Sequence, residues 1–474
     1  MTLAAFKQTI RQAAQDGTLG RSVIGDGVMI PGLDGEVPLV YADYVASGRA
    51  LRQVEDFVAA QVLPFYANSH TEASYCGTQM TRLRREARSE IARLTGATAQ
   101  DAVIFTGSGA TAGLNRLVSL FGVNEAARPV VFIGPYEHHS NILPWRESKA
   151  EVVEIPEAAE GGPDLAVLEL ALKQHADSDL KIGSFSAASN VTGIVTAPDP
   201  ISRLLHAHGA LAVWDYAGGG PYLPVDMGAG GAARKDAVVV SPHKFPGGPG
   251  ASGVLIVNQS AVRRRCPSWP GGGTVSFVSP WRHEYSQDLA AREEAGTPNV
   301  IGDIRAALAF LVKEAVGQDQ IEAREARFAQ MAWDGWLSNP RLRILGHRSA
   351  HRLPIFSFLV TDAAGKPVHQ QLFTRMLSDV YGIQARGGCA CAGPYAHRLL
   401  GINHPESETL FADLQAGEEM KKPGWVRLNF SYLMEEETAQ YIINCVNDLT
   451  MKAGEIAARY DADPQTARFK AQAA

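Results

Sequence analysis

The chain has 474 residues, enough for a large domain plus a smaller one. Hydrophobic residues at 46% and charged residues at 20% fit a globular protein, and a net charge of −6 argues against a nucleic-acid or anionic-membrane surface. No run reaches the roughly 18–20 apolar residues of a membrane span, and MTLAAFKQTIRQAAQ reads as an amphipathic helix, not a signal peptide. A cytoplasmic location with neither membrane nor nucleic acid as partner is expected. Five cysteines (Cys76, Cys266, Cys389, Cys391, Cys445) make no disulfide framework and are expected to be reduced.

In chain order, residues 1–40 read as an N-terminal arm: one helix, then the Gly- and Pro-containing run GDGVMIPGLDGEVP. YADYVASGRAL (41–51) suits close backbone packing, and FYANSHTEASYCG (65–77) reads as a long loop near a site. From Met80 an Arg/Glu face predicts a helix that ends at TGAT (95–98). A strand (Val103 to Thr106), the turn TGSGAT (106–111) and a helix follow, then the strand VVFIG (130–134) and the loop PYEHHSN. KIGSFSAASNVTGI (181–194) holds a strand and a loop, ISRLLHAHGA is a helix, and LAVWDYA (211–217) is a strand ending in Asp215. This alternation predicts an open, mainly parallel α/β sheet with its ligand crevice at the strand C-terminal ends. After the long helices near residues 299–337, short strands such as RILG, LPIFSFLV and WVRLNFSYL predict a smaller C-terminal α+β domain. The division expected is an arm (1–40), a large domain (41–315) and a small domain (316–474), whose Ala-rich tail after Tyr460 is expected to fray.

The chemistry centres on VVVSPHKFPGGPGASGVLIV (238–257), a strand, a glycine-rich loop and a strand, with Lys244 where the first strand ends. An amine held there can form a Schiff base with an aldehyde, and pyridoxal 5'-phosphate (PLP) is the cofactor that most often asks for one. A lone match of this kind would be a solvated loop lysine. Other stretches supply the remaining parts. TGSGAT opens a helix whose N–H groups suit a phosphate, although such turns often merely close a βαβ unit. Asp215 suits a protonated pyridine nitrogen, or equally a cap on the next turn. His138 can stack on a ring, and Asn190 can reach a phenolic oxygen, or each can be ordinary loop chemistry.

Taken in order, FTGSGAT, YEHHSNILPW, SNVTG, WDYA, SPHKFPGGPGASGVL, GGGTV, EEAGTPN and ARGGCACAG resemble the aminotransferase class V family of PLP enzymes, nearest its group II cysteine desulfurase and selenocysteine lyase branch. The resemblance spans roughly residues 40–435. It implies the PLP-dependent transferase fold type I and a homodimer with shared active sites. By position it makes Lys244 the Schiff-base lysine, Asp215 the pyridine partner and His138 the stacking and acid–base residue. Gly109, Ala110, Thr111, Ser241 and His243 match phosphate-side positions. Gly272 and Gly273 of GGGT (271–274), together with Thr297, match segments that reach the phosphate across the dimer. Asn190 matches a cofactor- and substrate-side asparagine, Arg427 the substrate-carboxylate clamp, and Arg386 lies beside it. Cys391, five residues after Arg386, matches the sulfur-accepting nucleophile.

The implied activity converts L-cysteine to L-alanine with a persulfide on Cys391, serving a small amino-acid substrate and a sulfur-acceptor protein. The alternative is another reaction of the same family without a persulfide: a C–S lyase, an epimerase or an aminotransferase. A non-catalytic sulfur-carrier scaffold is the reading from a different class. Three departures bear on the reaction. Gly218 stands where the family has glutamine, YADYVASG replaces an Asp-Asn-Ala-Ala-like run, and the connection between Cys391 and Arg427 is longer than usual. The Cys389-x-Cys391 pair is also similar to the GCxC motif of molybdenum-cofactor sulfurases, and two small cysteines packing a turn is the plain reading. One such pair, even with His397, lacks the second ligand pair of a structural zinc site.

Overall fold

A computed structural model describes residues 2–69 and 71–472. Contacts divide the chain into two units, residues 1–22, 47–188 and 195–318 in the first, and 23–46, 189–194 and 319–474 in the second.

The first unit is built on a seven-stranded sheet: β1 (Asp101–Gly107), β2 (Pro129–Ile133), β3 (Glu151–Glu154), β4 (Leu180–Ser186), β5 (Leu211–Asp215), β6 (Ala237–Val240) and β7 (Gly253–Asn258). Their spatial order is β1-β7-β6-β5-β4-β2-β3, parallel except for β7, which runs antiparallel to both neighbours. β2, β6 and β7 are buried along their whole length, as strands covered on both faces must be, and this explains their unbroken apolar runs. The expected parallel α/β architecture is present. The edge strand β3, EVVE, was not expected, because four half-exposed residues carry no burial signal.

The helix expected from Met80 starts earlier, at Tyr75, and runs to Leu94. Ser74 caps it, accepting from Gly77 N–H at 3.2 Å, so a serine inside the polar stretch sets the boundary that periodicity alone missed.

The second unit carries an antiparallel sheet, β8 (Leu342–Ile344), β9 (Ile355–Thr361), β10 (Arg386–Gly388) and β11 (Trp425–Asn429), in the order β8-β9-β11-β10. Phe356, Phe358, Val426 and Leu428 pack on one face of it with Trp336, Phe373 and Val446. The segment 23–46 joins this unit through Val40–Tyr41, which pairs parallel with Ile383–Gln384. The tail does not simply fray: Tyr460–Asp463 pairs with Arg468–Ala471, and the Tyr460 hydroxyl donates to Asp379 at 3.0 Å. Between Cys391 and Arg427 lie two helices, Gly393–Leu400 and His404–Gln415, the second started by a reciprocal Asn403/Glu406 capping box.

One close approach fixes the crevice end of the first sheet. A Cβ on Gly253 would fall 2.4 Å from the Gly109 carbonyl oxygen and 2.5 Å from its Cα. Gly253→Ala is therefore expected to cost about 1–3 kcal/mol in urea unfolding, the usual range for overpacking, and to loosen the turn at residues 107–111.

Candidate active site

In the first unit, the ends of β1, β2, β4, β5 and β6 present the polar residues. The helix Gly109–Leu120 begins at the end of β1, with Gly109 at φ +62°. Ala110 N–H donates to Ser241 Oγ at 2.9 Å, which ties this helix start to the loop that carries Lys244. A Cβ on Gly109 would lie 2.8 Å from that same Oγ. A glycine-lined helix start beside a serine hydroxyl fits a phosphate group. Thr111 Oγ1 bonds Ser140 Oγ at 2.7 Å. Ser140 N–H in turn donates to His138 Nδ1 at 3.1 Å, so the imidazole is held in the tautomer whose proton sits on Nε2.

Lys244 ends a single 3-10 turn, Pro242–Lys244, after β6. Asp215 ends the adjacent strand β5 and is 3% exposed. Burial pushes its carboxyl up from the ordinary range, while the bond from Ala217 N–H at 2.7 Å and the charge of Lys244 oppose the rise. A buried carboxylate under that pressure fits a partner that brings a positive charge, such as a pyridinium. Burial, and then the charge of Lys244, take His243 down to about 4, so it is neutral at pH 7.

Gly272, Gly273 and Thr297 lie elsewhere in this unit. Gly296 N–H donates to the Gly272 carbonyl at 2.8 Å, and Gly273 lines a cleft of about 420 Å³ with Arg84, Arg88 and Glu294.

In the second unit, Arg427 is 3% exposed on β11. It donates to Asp43 Oδ1 at 2.8 Å and to the Asn190 carbonyl at 3.1 Å. Arg386, opposite it on β10, donates to the other Asp43 oxygen at 2.9 Å. Asn190 Nδ2 donates to the Ala390 carbonyl at 2.8 Å and so braces the cysteine turn, while its buried Oδ1 has no partner among the described residues. That orphaned acceptor fits a donor on a ligand. Ala390 and Cys391 both adopt left-handed backbone, at φ +53° and +56°, and Cys391 is exposed while Cys389 is half-buried.

The aminotransferase class-V family model matches residues 40–440. The chain belongs to the aminotransferase class-V family. It is 30% identical over 360 residues to a cysteine desulfurase of Escherichia coli, covering 76% of this chain and 85% of the relative. It is also 30% identical to a cysteine desulfurase of Salmonella newport over 364 residues, with 76% and 85% covered. A cysteine desulfurase structure from Thermococcus onnurineus superposes with a TM-score of 0.71 at 22% identity, covering 87% of this chain and 94% of that one. These relationships make the protein a PLP-dependent enzyme with the fold that the strand–helix alternation implied.

Three residues that support the candidate site residues in their own units carried too weak a signal to be chosen from sequence. Asp43 sat in a motif noted only for its departure. Ser140 lies in the loop PYEHHSN, where nothing in the sequence distinguishes it. Glu137, fully buried beside His138, accepts from Gly134 N–H (3.2 Å), Ser186 N–H (2.9 Å), Ser186 Oγ (2.7 Å) and Asn141 Nδ2 (2.5 Å). It thus laces the end of β2 to the end of β4, whose Ser186 pairs with Asp215 in the sheet register. Burial pushes Glu137 up to about 7 against the pull of these donors, with the nearby Asp215 adding to the rise.

The sign follows from linkage. A carboxyl whose folded pKa lies above its unfolded value favours folding when protonated, so its contribution is present below about pH 4.5 and lost as pH rises to about 7. Wild-type stability is expected to fall by up to about 3 kcal/mol across that window from this group. Thermal melts from pH 4.5 to 8 should show this component absent in Glu137→Gln.

Proposed function

We propose that this protein is a cysteine desulfurase: L-cysteine plus the Cys391 thiol gives L-alanine plus a Cys391 persulfide. PLP, when bound, supplies an electrophilic aldehyde and a ring that accepts the electron pair left at the substrate Cα. Lys244 anchors it and moves the proton at the substrate Cα. With PLP bound, Asp215 would hold the proton of the ring nitrogen, His138 would serve as a stacking and acid–base group, and Gly109, Ala110, Thr111, Ser241 and His243 would hold the phosphate. The guanidinium of Arg427, aimed by Asp43, grips the substrate carboxylate with Arg386 beside it. Asn190 supplies a cofactor- and substrate-side contact. Cys391 attacks the substrate sulfur: the C–S bond breaks, an S–S bond forms, and the methyl carbon of alanine takes up a proton.

The observation that carries this reading is the turn of Cys391. Its thiol is exposed, and its backbone is braced by the same Asn190 whose carbonyl contacts Arg427. With PLP-loaded protein, Cys391→Ala is expected to lower alanine formation from L-cysteine by at least about 100-fold while the visible cofactor band persists; Lys244→Ala should lose that band. Undiminished turnover of cysteine in Cys391→Ala would instead favour a lyase, epimerase or aminotransferase.

The reading includes a second copy of the chain, to whose phosphate Gly272, Gly273 and Thr297 would reach, and a protein that accepts the sulfur. Supporting the dimer, Trp269 (70% exposed) and the hairpin Val275–Val278/His283–Tyr285, with Val278 (63%) and Trp281 (89%), present apolar surface that water disfavours. Sedimentation equilibrium of the holoenzyme is expected at twice the chain mass, with dissociation promoted by Trp281→Asp.

A further inference from the structure

The second unit holds a cavity of about 570 Å³ remote in sequence from the PLP-site lysine, lined among others by Arg341, Arg343, Leu359, Leu400, Pro423 and Trp425. The sheet register explains its floor. Val426 pairs with Phe358, and both point into the core, so Trp425 and Leu359 stand on the opposite face. Arg343, paired with Leu359, stands there with them. The wall comes from the long connection between Cys391 and Arg427: the end of its first helix at Leu400, and the return through residues 420–424. This wall is firmly seated, because a Cβ on Gly424 would come 2.7 Å from Gly388 Cα.

Its polar groups are mostly donors. Trp425 is fully buried, and its indole Nε1 has no hydrogen-bond partner among the described residues. His369 Nδ1 accepts from Gln371 N–H at 3.2 Å, which leaves Nε2 as the ring's donor, and burial pulls the imidazole below its ordinary pKa. That nitrogen is buried and faces the Met420 backbone. Lys421 and Lys422 are paired with Asp413 (3.0 Å) and Glu419 (3.5 Å), and Asp362 is turned onto the N–H groups of Ala364 and Lys366. Arg343 has only the Leu399 carbonyl at 3.5 Å and Arg341 only the Met451 sulfur at 2.8 Å, so neither guanidinium meets a carboxylate among the described residues.

We propose that this cavity is a binding site for a small organic carboxylate, whose acid group lies between Arg341 and Arg343 and whose apolar body lies along Leu359, Leu400 and Pro423, above the buried Trp425. A hydrophobic floor, buried N–H donors and two uncompensated guanidinium groups suit that chemistry. The site is distinct from the Arg427 clamp, which lies two residues along the same strand and already holds Asp43.

The test is calorimetric titration of PLP-loaded protein with 3-phenylpropionate and its neutral amide. Saturable binding of the acid is expected, weaker by about tenfold for the amide and for the double variant Arg341→Ala/Arg343→Ala, and by severalfold for Leu400→Ala. Both arginines lie at a sheet edge, so the double variant keeps the test open even if Leu400→Ala folds poorly. Retained binding in Arg427→Ala would support the cavity over the clamp. The proposal is overturned by no saturable binding, by equal affinity in the double arginine variant, or by loss of binding confined to Arg427→Ala.

Discussion

A single hydrogen bond, from Ala110 N–H to Ser241 Oγ, joins two loops at one end of the first sheet. It links the first strand-to-helix turn to the loop of Lys244, although 131 residues separate the two groups in sequence. It can form only because β7 runs antiparallel between β1 and β6, and because Gly253 leaves room for the Gly109 backbone. With a side chain at that position the helix start would be pushed away, and the glycine-lined turn and Lys244 would no longer share one end of the sheet.

The second tier of support is electrostatic. Glu137 collects four donors from the ends of β2 and β4 and the turn after His138, and so fixes the backbone from which the imidazole projects. In the other unit Asp43 does comparable work, with one oxygen on Arg427 and the other on Arg386. Both carboxylates hold neighbouring polar groups in place. Burial makes each bond stronger than it would be in water, and makes an unpaired partner costly.

Much of this was legible from the sequence, for identifiable reasons. Strands buried on both faces are apolar throughout, so β2, β5, β6 and β7 announced themselves, and Lys244 and Asp215 stood out as polar residues at their ends. The supporting residues did not stand out. A buried glutamate next to two histidines has no periodicity to betray it, and an aspartate whose partners lie more than 340 residues away is invisible to local patterns. The packing of segments 23–46 and 189–194 with the C-terminal residues was illegible for the same reason: the pairing of Val40 with Ile383 is a long-range contact. The helix start at Tyr75 was missed because a cap is one residue, whereas periodicity needs a full turn.

The left-handed backbone at Ala390 and Cys391 carries its own consequence. Side chains branched at Cβ are poorly accommodated there, whereas alanine, serine and glycine add no such branching. Threonine or valine at position 391 would therefore change the path of the main chain as well as the chemistry of the side chain. Serine, which differs from cysteine by one atom, is the replacement that isolates the contribution of sulfur.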